Sequence, residues 1–512
     1  MIMLKHPFLI LCLCLILPAS LFATQQQSEG TFRFEQNGKE ISDILVDSTQ
    51  PSGTIDVHNV GNGDISRMSI TMDKGLKSLI TQNTCKNTLA ANTSCQLTYQ
   101  LNNSLQINQP YLLNVSGNNV TNNQMLFAVY IAKSGQINCW GTNSLGQLGN
   151  GDSSISKSSI PLSVKNINNA VKISTGTNHT CALLDSGRMQ CWGDNTYGEL
   201  GRDPSSTPSS NTPLRVPGIN QKNQVVDIAT GANDTCILTT AGTISCWGNN
   251  NSNQLGMDND TILSTYQPVA VKYLASKAIA VFAGATFNTC ALLDTGRIQC
   301  WGYNGSGNLG DGNIKVSNVP TYVKTNKQAR QVNLALDHSC ATMMDNSMSC
   351  WGDNSDGQLG DDKPGNNSLV PVNVKQPLLT NIKTLSTAIG DEYSCELVSY
   401  QDAAANKTNQ AAYCWGNNQQ GTLGNGTISN SSIPVKVSLS ASPISLAGNA
   451  AHSCTILKNG KTISMNCWGG NYMGQIGNGD YANYVATPAS VLGSLDKPIA
   501  ATANSQITCA LY

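Results

Sequence analysis

Cysteine is the side chain whose number and spacing in this sequence could do chemistry, as metal-binding thiolates or as disulfides. Among 18 cysteines, Cys181 and Cys191, Cys236 and Cys246, Cys290 and Cys300, and Cys340 and Cys350 each stand ten residues apart. Cys395 with Cys414 and Cys454 with Cys467 repeat the arrangement at longer intervals, and Cys85 with Cys95 forms a further pair nearer the N-terminus. Structural zinc needs closer thiol spacing and a second near pair to complete four ligands, so these spacings read as disulfides and not as a metal centre. Histidine offers equally little. His179, His338 and His452 recur just before the first cysteine of a pair, in NHTC, DHSC and AHSC, and His58 lies in a strand-like run with no nucleophile nearby. The recurrence reads as histidines fixed by hydrogen bonds within their own unit. No GxSxG, HExxH, phosphate-loop or dinucleotide pattern occurs, and DNSDG at Asp353 lacks the glutamate of a calcium loop. Asp185, Asp294 and Asp345 recur in turns, where a carboxylate bonds its own backbone. The sequence therefore assigns no catalytic residue and no cofactor, and it predicts a non-enzymatic protein.

Positioning those cysteines requires hairpins. TCALL at Thr180 and RMQCW at Arg188 are short apolar runs on either side of the turn residues Asp185, Ser186 and Gly187. The second cysteine opens a Cys-Trp-Gly tripeptide that occurs seven times, at Trp140, Trp192, Trp247, Trp301, Trp351, Trp415 and Trp468, which are all the tryptophans of the chain. Successive copies lie 52, 55, 54, 50, 64 and 53 residues apart, a period that suits a four-stranded unit. A Gly-rich turn follows each copy, as in GQLGNG at Gly146 and GQIGNG at Gly474. Pro213, Pro268, Pro320, Pro371 and Pro434 then mark an outermost strand, since proline is tolerated at sheet edges.

The repeated Cys-Trp-Gly, the turn after it and the count of seven resemble the repeat of the regulator-of-chromosome-condensation family, over roughly residues 125–512. That resemblance implies a seven-bladed β-propeller. Cys139 and Cys509 are each half of the repeated pair, and a ring closes when strands from the two chain ends share one blade, so these two are expected to bond. In the chain-entropy picture a hairpin staple contributes at most about 2 to 3 kcal/mol, whereas the long closing loop contributes about 5 kcal/mol. One competitor exists: FAVYIAKSGQINCWG at Phe127 imitates a full hairpin, with Val129 where a cysteine would sit. The family also implies an alternative function, guanine-nucleotide exchange on small GTPases by a bacterial effector, although no segment here matches an exchange wedge. A carbohydrate-active enzyme is a more remote alternative, since carboxylate pairing in space is invisible in sequence.

Residues 1–23 read as a signal peptide: Lys5 and His6, the apolar PFLILCLCLILP, then small residues to Ala23. Its removal takes Cys12 and Cys14 with it and leaves no stable membrane insertion. Residues 24–124 alternate polar and apolar in short runs such as GTIDVHNV and SRMSITM, which predicts a small antiparallel β-sandwich, and Cys85 through TSCQLTY resembles a hydin-like immunoglobulin-like domain. The propeller is placed at 125–512. With 30 basic and 31 acidic residues and no basic run, the chain is poorly suited to nucleic acid. Export with disulfides predicts a secreted, surface or periplasmic location. A bacterial route is favoured, because glycans at Asn178 or Asn233 would crowd the stapled strands. The expected partner of this monomer is an unidentified protein, held by loops on a rigid scaffold. Three insertions offer such loops: RDPSSTPSSN with Arg202 and Asp203, GMDNDTILSTY with Asp258 and Asp260, and SYQDAAANKTNQAAY with Tyr400, Gln401 and Asp402.

Overall fold

A computed structural model describes residues 32–36, 39–40, 43–46, 52–72, 77, 79–100, 111–118, 120, 124–131 and 134–512, apart from 221, 223, 286, 405, 494–496 and 505. The signal segment falls outside the described residues. From Ile137 onward the named elements are strands in antiparallel sheets of four, one for each Cys-Trp-Gly. In one such sheet Ala170–Thr175, His179–Leu184, Met189–Asp194 and Ser209–Arg215 pair in chain order. The fourth strand is an edge in each sheet, and the five prolines lie there, where a missing amide costs no ladder bond.

The second and third strands set Cys181 opposite Cys191, with Cα atoms 4.1 Å apart, and the disulfide spans that pair. The same arrangement joins Cys236 to Cys246, Cys290 to Cys300, Cys340 to Cys350, Cys395 to Cys414 and Cys454 to Cys467. One sheet is assembled from both chain ends. Ile137–Thr142 pairs with Ile507–Leu511, Cys139 faces Cys509, and a disulfide connects them.

Why the tripeptide is Cys-Trp-Gly follows from the third strand. Its register with the fourth strand shifts between the cysteine and the glycine, so the tryptophan sits in a bulge and is re-aimed out of the ladder. Gly193 takes φ +103°, and a Cβ there would lie 2.4 Å from the Asn178 carbonyl oxygen, so only glycine fits.

The N-terminal residues form two further sheets. One runs in the order Lys39–Glu40, Phe32–Gln36, Ser52–Asn59, Ser94–Gln100, Ile80–Asn83; the other is Asp43–Val46, Gln124–Ile131, Tyr111–Asn118, Ser66–Met72. Phe34, Val57 and Leu97 from the first share an apolar cluster with Leu113, Val115 and Phe127 from the second. Cys85 and Cys95 are bonded at its margin. Two expectations change here. Asp43–Val46 pairs in parallel with Gln124–Ile131, so the unit is not wholly antiparallel; strands from its two ends meet side by side after a long crossover. Val129 pairs with Tyr111 and Ile44 and so does not compete for the strand beside Cys139, and the sheet pairing carries this unit through Ile131, past residue 124. Leu112 and Leu126 pack into the apolar cluster of the following sheets, and the Leu126 amide donates to the Asp294 carbonyl at 2.6 Å.

Candidate functional site

Each four-stranded sheet is clasped to its neighbour by the turn that follows Cys-Trp-Gly. The turn is folded by an asparagine two residues after the glycine. Asn195 Oδ1 accepts from the Leu200 amide at 2.8 Å, while its Nδ2 donates to the carbonyls of Arg202 and Thr207. Asn143, Asn250, Asn304, Asn354, Asn418 and Asn471 do the same for Leu148, Leu255, Leu309, Leu359, Leu423 and Ile476. The folded turn then offers a carbonyl to the tryptophan of the next sheet. Trp192 Nε1 donates to Gln147 O at 2.8 Å, Trp247 to Glu199 O at 2.9 Å, and Trp301 to Gln254 O at 2.8 Å. Trp351, Trp415 and Trp468 reach Asn308, Gln358 and Thr422 in the same way. Trp140 reaches Gln475, 335 residues away in the chain, which links the last turn to the first tripeptide. All seven indoles are fully buried. Gly149 is needed in the turn, because a Cβ there would stand 2.6 Å from Trp192 Nε1.

A second row of bonds uses the histidines, and it corrects their reading as bonds within one unit. His179 Nε2 meets Thr235 Oγ1 of the next sheet at 2.9 Å, His338 meets Ser394 at 2.8 Å, and His452 meets Thr508 at 2.7 Å. Each of those hydroxyls already donates to a turn carbonyl, so the imidazole Nε2–H is the donor. Burial pushes His179 down to about 3 and His338 to about 4, which keeps both neutral. The three rings hold neighbouring sheets together, and His179 and His338 take up no second proton at ordinary pH. A sequence signal for this row exists: the residue before the first cysteine of each hairpin pair, and before Cys509, is Thr or Ser.

The three insertions separate. Arg202 donates from Nη2 to the Arg215 carbonyl, and Asp203 accepts from the Ser205 amide and hydroxyl. Both line a recess of ≈ 480 Å³ with Ser206, Pro217, Tyr266 and Pro268. Asp258 accepts from the Tyr273 hydroxyl and Asp260 from Asn318 Nδ2, so this loop is tied to the outer strand of the next sheet. Tyr400, Gln401 and Asp402 do not form a loop. They extend the strand Tyr393–Asp402 against Lys407–Gly416, with Asp402 opposite Lys407, and therefore lie at the strand end remote from Gly416 and its turn. The first insertion shares its recess with Tyr266, the last residue of the second, whereas Asp258 and Asp260 are not among the residues that line it.

One cluster of carboxylates gathers around Asp391. Asp391 is pushed up to about 6 by burial and then by Glu392 and Asp337, and Glu392 is raised by burial and by Asp356, Asp353 and Asp337. Among the described residues no group of three or more His, Cys, Asp or Glu side chains could hold a metal ion, and no helix is long and apolar enough to cross a membrane.

Comparison with known proteins decides the family. The RCC1-like domain matches residues 115–405, and the regulator of chromosome condensation (RCC1) repeat matches residues 411–456. The chain belongs to the RCC1-like family. It is 34% identical over 194 residues to the ultraviolet-B receptor UVR8 of Arabidopsis thaliana, covering 37% of this chain and 42% of that protein. It is 30% identical over 196 residues to the human E3 ubiquitin-protein ligase HERC2, covering 38% and 4%. This RCC1-like chain thus spans less than half the length of these curated relatives. Among solved structures, Prp20p of Saccharomyces cerevisiae shares its fold with a TM-score of 0.64 at 22% identity, over 74% of this chain and 91% of Prp20p. Human WBSCR16 does so with a TM-score of 0.64 at 17% identity, over 74% and 99%. The fold is that of an all-β RCC1-like propeller.

Proposed function

We propose that this RCC1-like chain is an exported, non-enzymatic protein-binding propeller of seven blades, carried behind an N-terminal immunoglobulin-like sandwich. The observation that carries the reading is the unbroken succession of clasps from Trp192 round to Trp140, which makes the repeats one stiff body. A stiff scaffold holds its loops in place and lowers the ordering cost of binding a protein. The disulfides fit an oxidising location, and secretion is part of the proposal. Relatives support protein binding as the use of the fold: Prp20p is known for binding Gsp1p and histones, and it has been solved with Kap60. The loops at Arg202–Asp203 and at Asp258–Asp260 are the proposed contact regions, with Tyr400–Asp402 as a further one.

The test is a pull-down from the protein's natural surroundings with the oxidised chain, beside an Arg202→Ala/Asp203→Ala variant and an Asp258→Ala/Asp260→Ala variant. One protein retained by the native chain and lost with either variant is expected. Catalytic nucleotide release from a small GTPase by the same chain would replace this reading with exchange activity.

A further inference from the structure

The row of side chains that includes His179 has a gap. The equivalent position is Asp234 in the next sheet and Asn288 in the one after, followed by His338, Tyr393 and His452. His179, His338 and His452 reach the hydroxyl of the following sheet, and Tyr393 reaches Ser453 at 2.8 Å. Asp234 and Asn288 are shorter side chains. Both are completely buried, and both oxygens of Asp234, and the oxygen and nitrogen of Asn288, lack any hydrogen-bond partner. Thr289 and Ser339, the hydroxyls they would meet, bond only the turn carbonyls of Gln254 and Asn308. A buried carboxylate with neither a donor nor a cation is far costlier than the neutral acid.

The surroundings of Asp234 add negative charge. Glu199, in the preceding turn, is fully buried with Oε1 unpartnered. In two other repeats this residue is a glutamine whose nitrogen donates to the residue after Cys-Trp-Gly, Gln254 to Asn249 and Gln358 to Asp353. Here a carboxyl faces Asp194, so it can imitate that amide only while it carries a proton. On the inner strand Val225–Thr230, Asp227 is engaged by Lys172, and His179 is neutral; the strand Asn288–Leu293 presents Asn288 and Thr289, which do not titrate. Burial, with Glu199 next, raises Asp234 well above the usual carboxylate range, and burial with Asp194 raises Glu199 to about 7.

We infer that the junction between the sheet of Asp234 and the sheet of Asn288 stays closed only while Asp234, with Glu199 behind it, keeps a proton, and that it loosens as the proton is lost. A carboxyl raised in the folded state binds its proton more tightly there than in the unfolded chain, so its stabilising effect is complete at acidic pH and declines as pH rises through the raised value. The inference is independent of the proposed function.

Hydrogen exchange of the oxidised full chain from pH 5 to 8.5, corrected for intrinsic exchange, tests it. Protection in Asp234–Thr239 and Asn288–Leu293 is expected to fall about tenfold or more across that range, while Ile507–Leu511, which meets His452, stays level. Asp234→Asn should abolish the trend, and Glu199→Gln should reduce it. Asp234→His should raise protection at every pH, because Gly231 leaves the room that Gly176 leaves for the His179 ring. Equal trends at both junctions, or an Asp234→Asn variant that keeps the native trend, would overturn the inference. So would protection at pH 8.5 restored by millimolar calcium, which would put a cation where the proton is placed. If Asp234→Asn does not fold, the comparison of junctions within the native chain decides.

Discussion

The sheet that joins the two chain ends and the sheet built from one continuous hairpin are locally interchangeable. Cys139 faces Cys509 with Cα atoms 4.1 Å apart, and Cys181 faces Cys191 at the same 4.1 Å. Trp140 and Trp192 are equally buried and equally bonded to a preceding turn. The difference lies in the chain between the sulfurs, 370 residues against ten. Identical contacts can therefore have unequal consequences, because a crosslink acts on the unfolded ensemble that the native contacts do not see.

The comparison is broken most severely through the sulfurs. Replacing Cys139 and Cys509 together by serine should cost about 5 kcal/mol or more, against about 2 to 3 kcal/mol for Cys181 and Cys191, measured by denaturant unfolding of oxidised protein. Equal losses would mean that the unfolded chain stays compact enough to make loop length irrelevant. The tryptophans sharpen the other side of the argument. Trp140→Ala and Trp247→Ala should each cost about 3–5 kcal/mol, and the same amount as one another, because each leaves the same cavity. A markedly smaller loss at Trp140 would show that the closing sheet is already frayed. The histidines give the smallest effect: His452→Ala, which touches the closing sheet, and His338→Ala, which does not, should both cost about 1–3 kcal/mol by leaving a hydroxyl without its donor. Differential scanning calorimetry of the two variants would reveal any inequality.

Much of this is legible in the residues. Sulfur spacing and the period-2 runs lie within a single repeat, so the hairpins, the edge prolines and the cysteine pairs can be read from short windows. The Cys139 and Cys509 partnership needs only the count of leftover halves. Contacts between repeats are harder. The indole of Trp247 meets a carbonyl at Glu199, 48 residues away, and nothing in the window around either residue announces the other. The histidines read as bonded within their own unit for the same reason. Tyr400–Asp402 reads as a loop because Ala, Asn and Thr follow it in a run with little strand character, yet pairing with Lys407–Gln410 extends the ladder regardless. The pairing of Gln124–Ile131 is hidden from a local reading because its partner, Asp43–Val46, lies some eighty residues upstream and runs parallel to it.

The bond between Cys139 and Cys509 turns everything from one to the other into a covalent loop with tails. A protease that nicks the turn after Asp402 would cut that loop once and liberate nothing, since both new ends remain tethered through Cys395 and Cys414 as well as through the closing sulfurs. Fragments would appear on a gel only after reduction, so a clipped molecule stays a single covalent piece as long as its sulfurs remain oxidised.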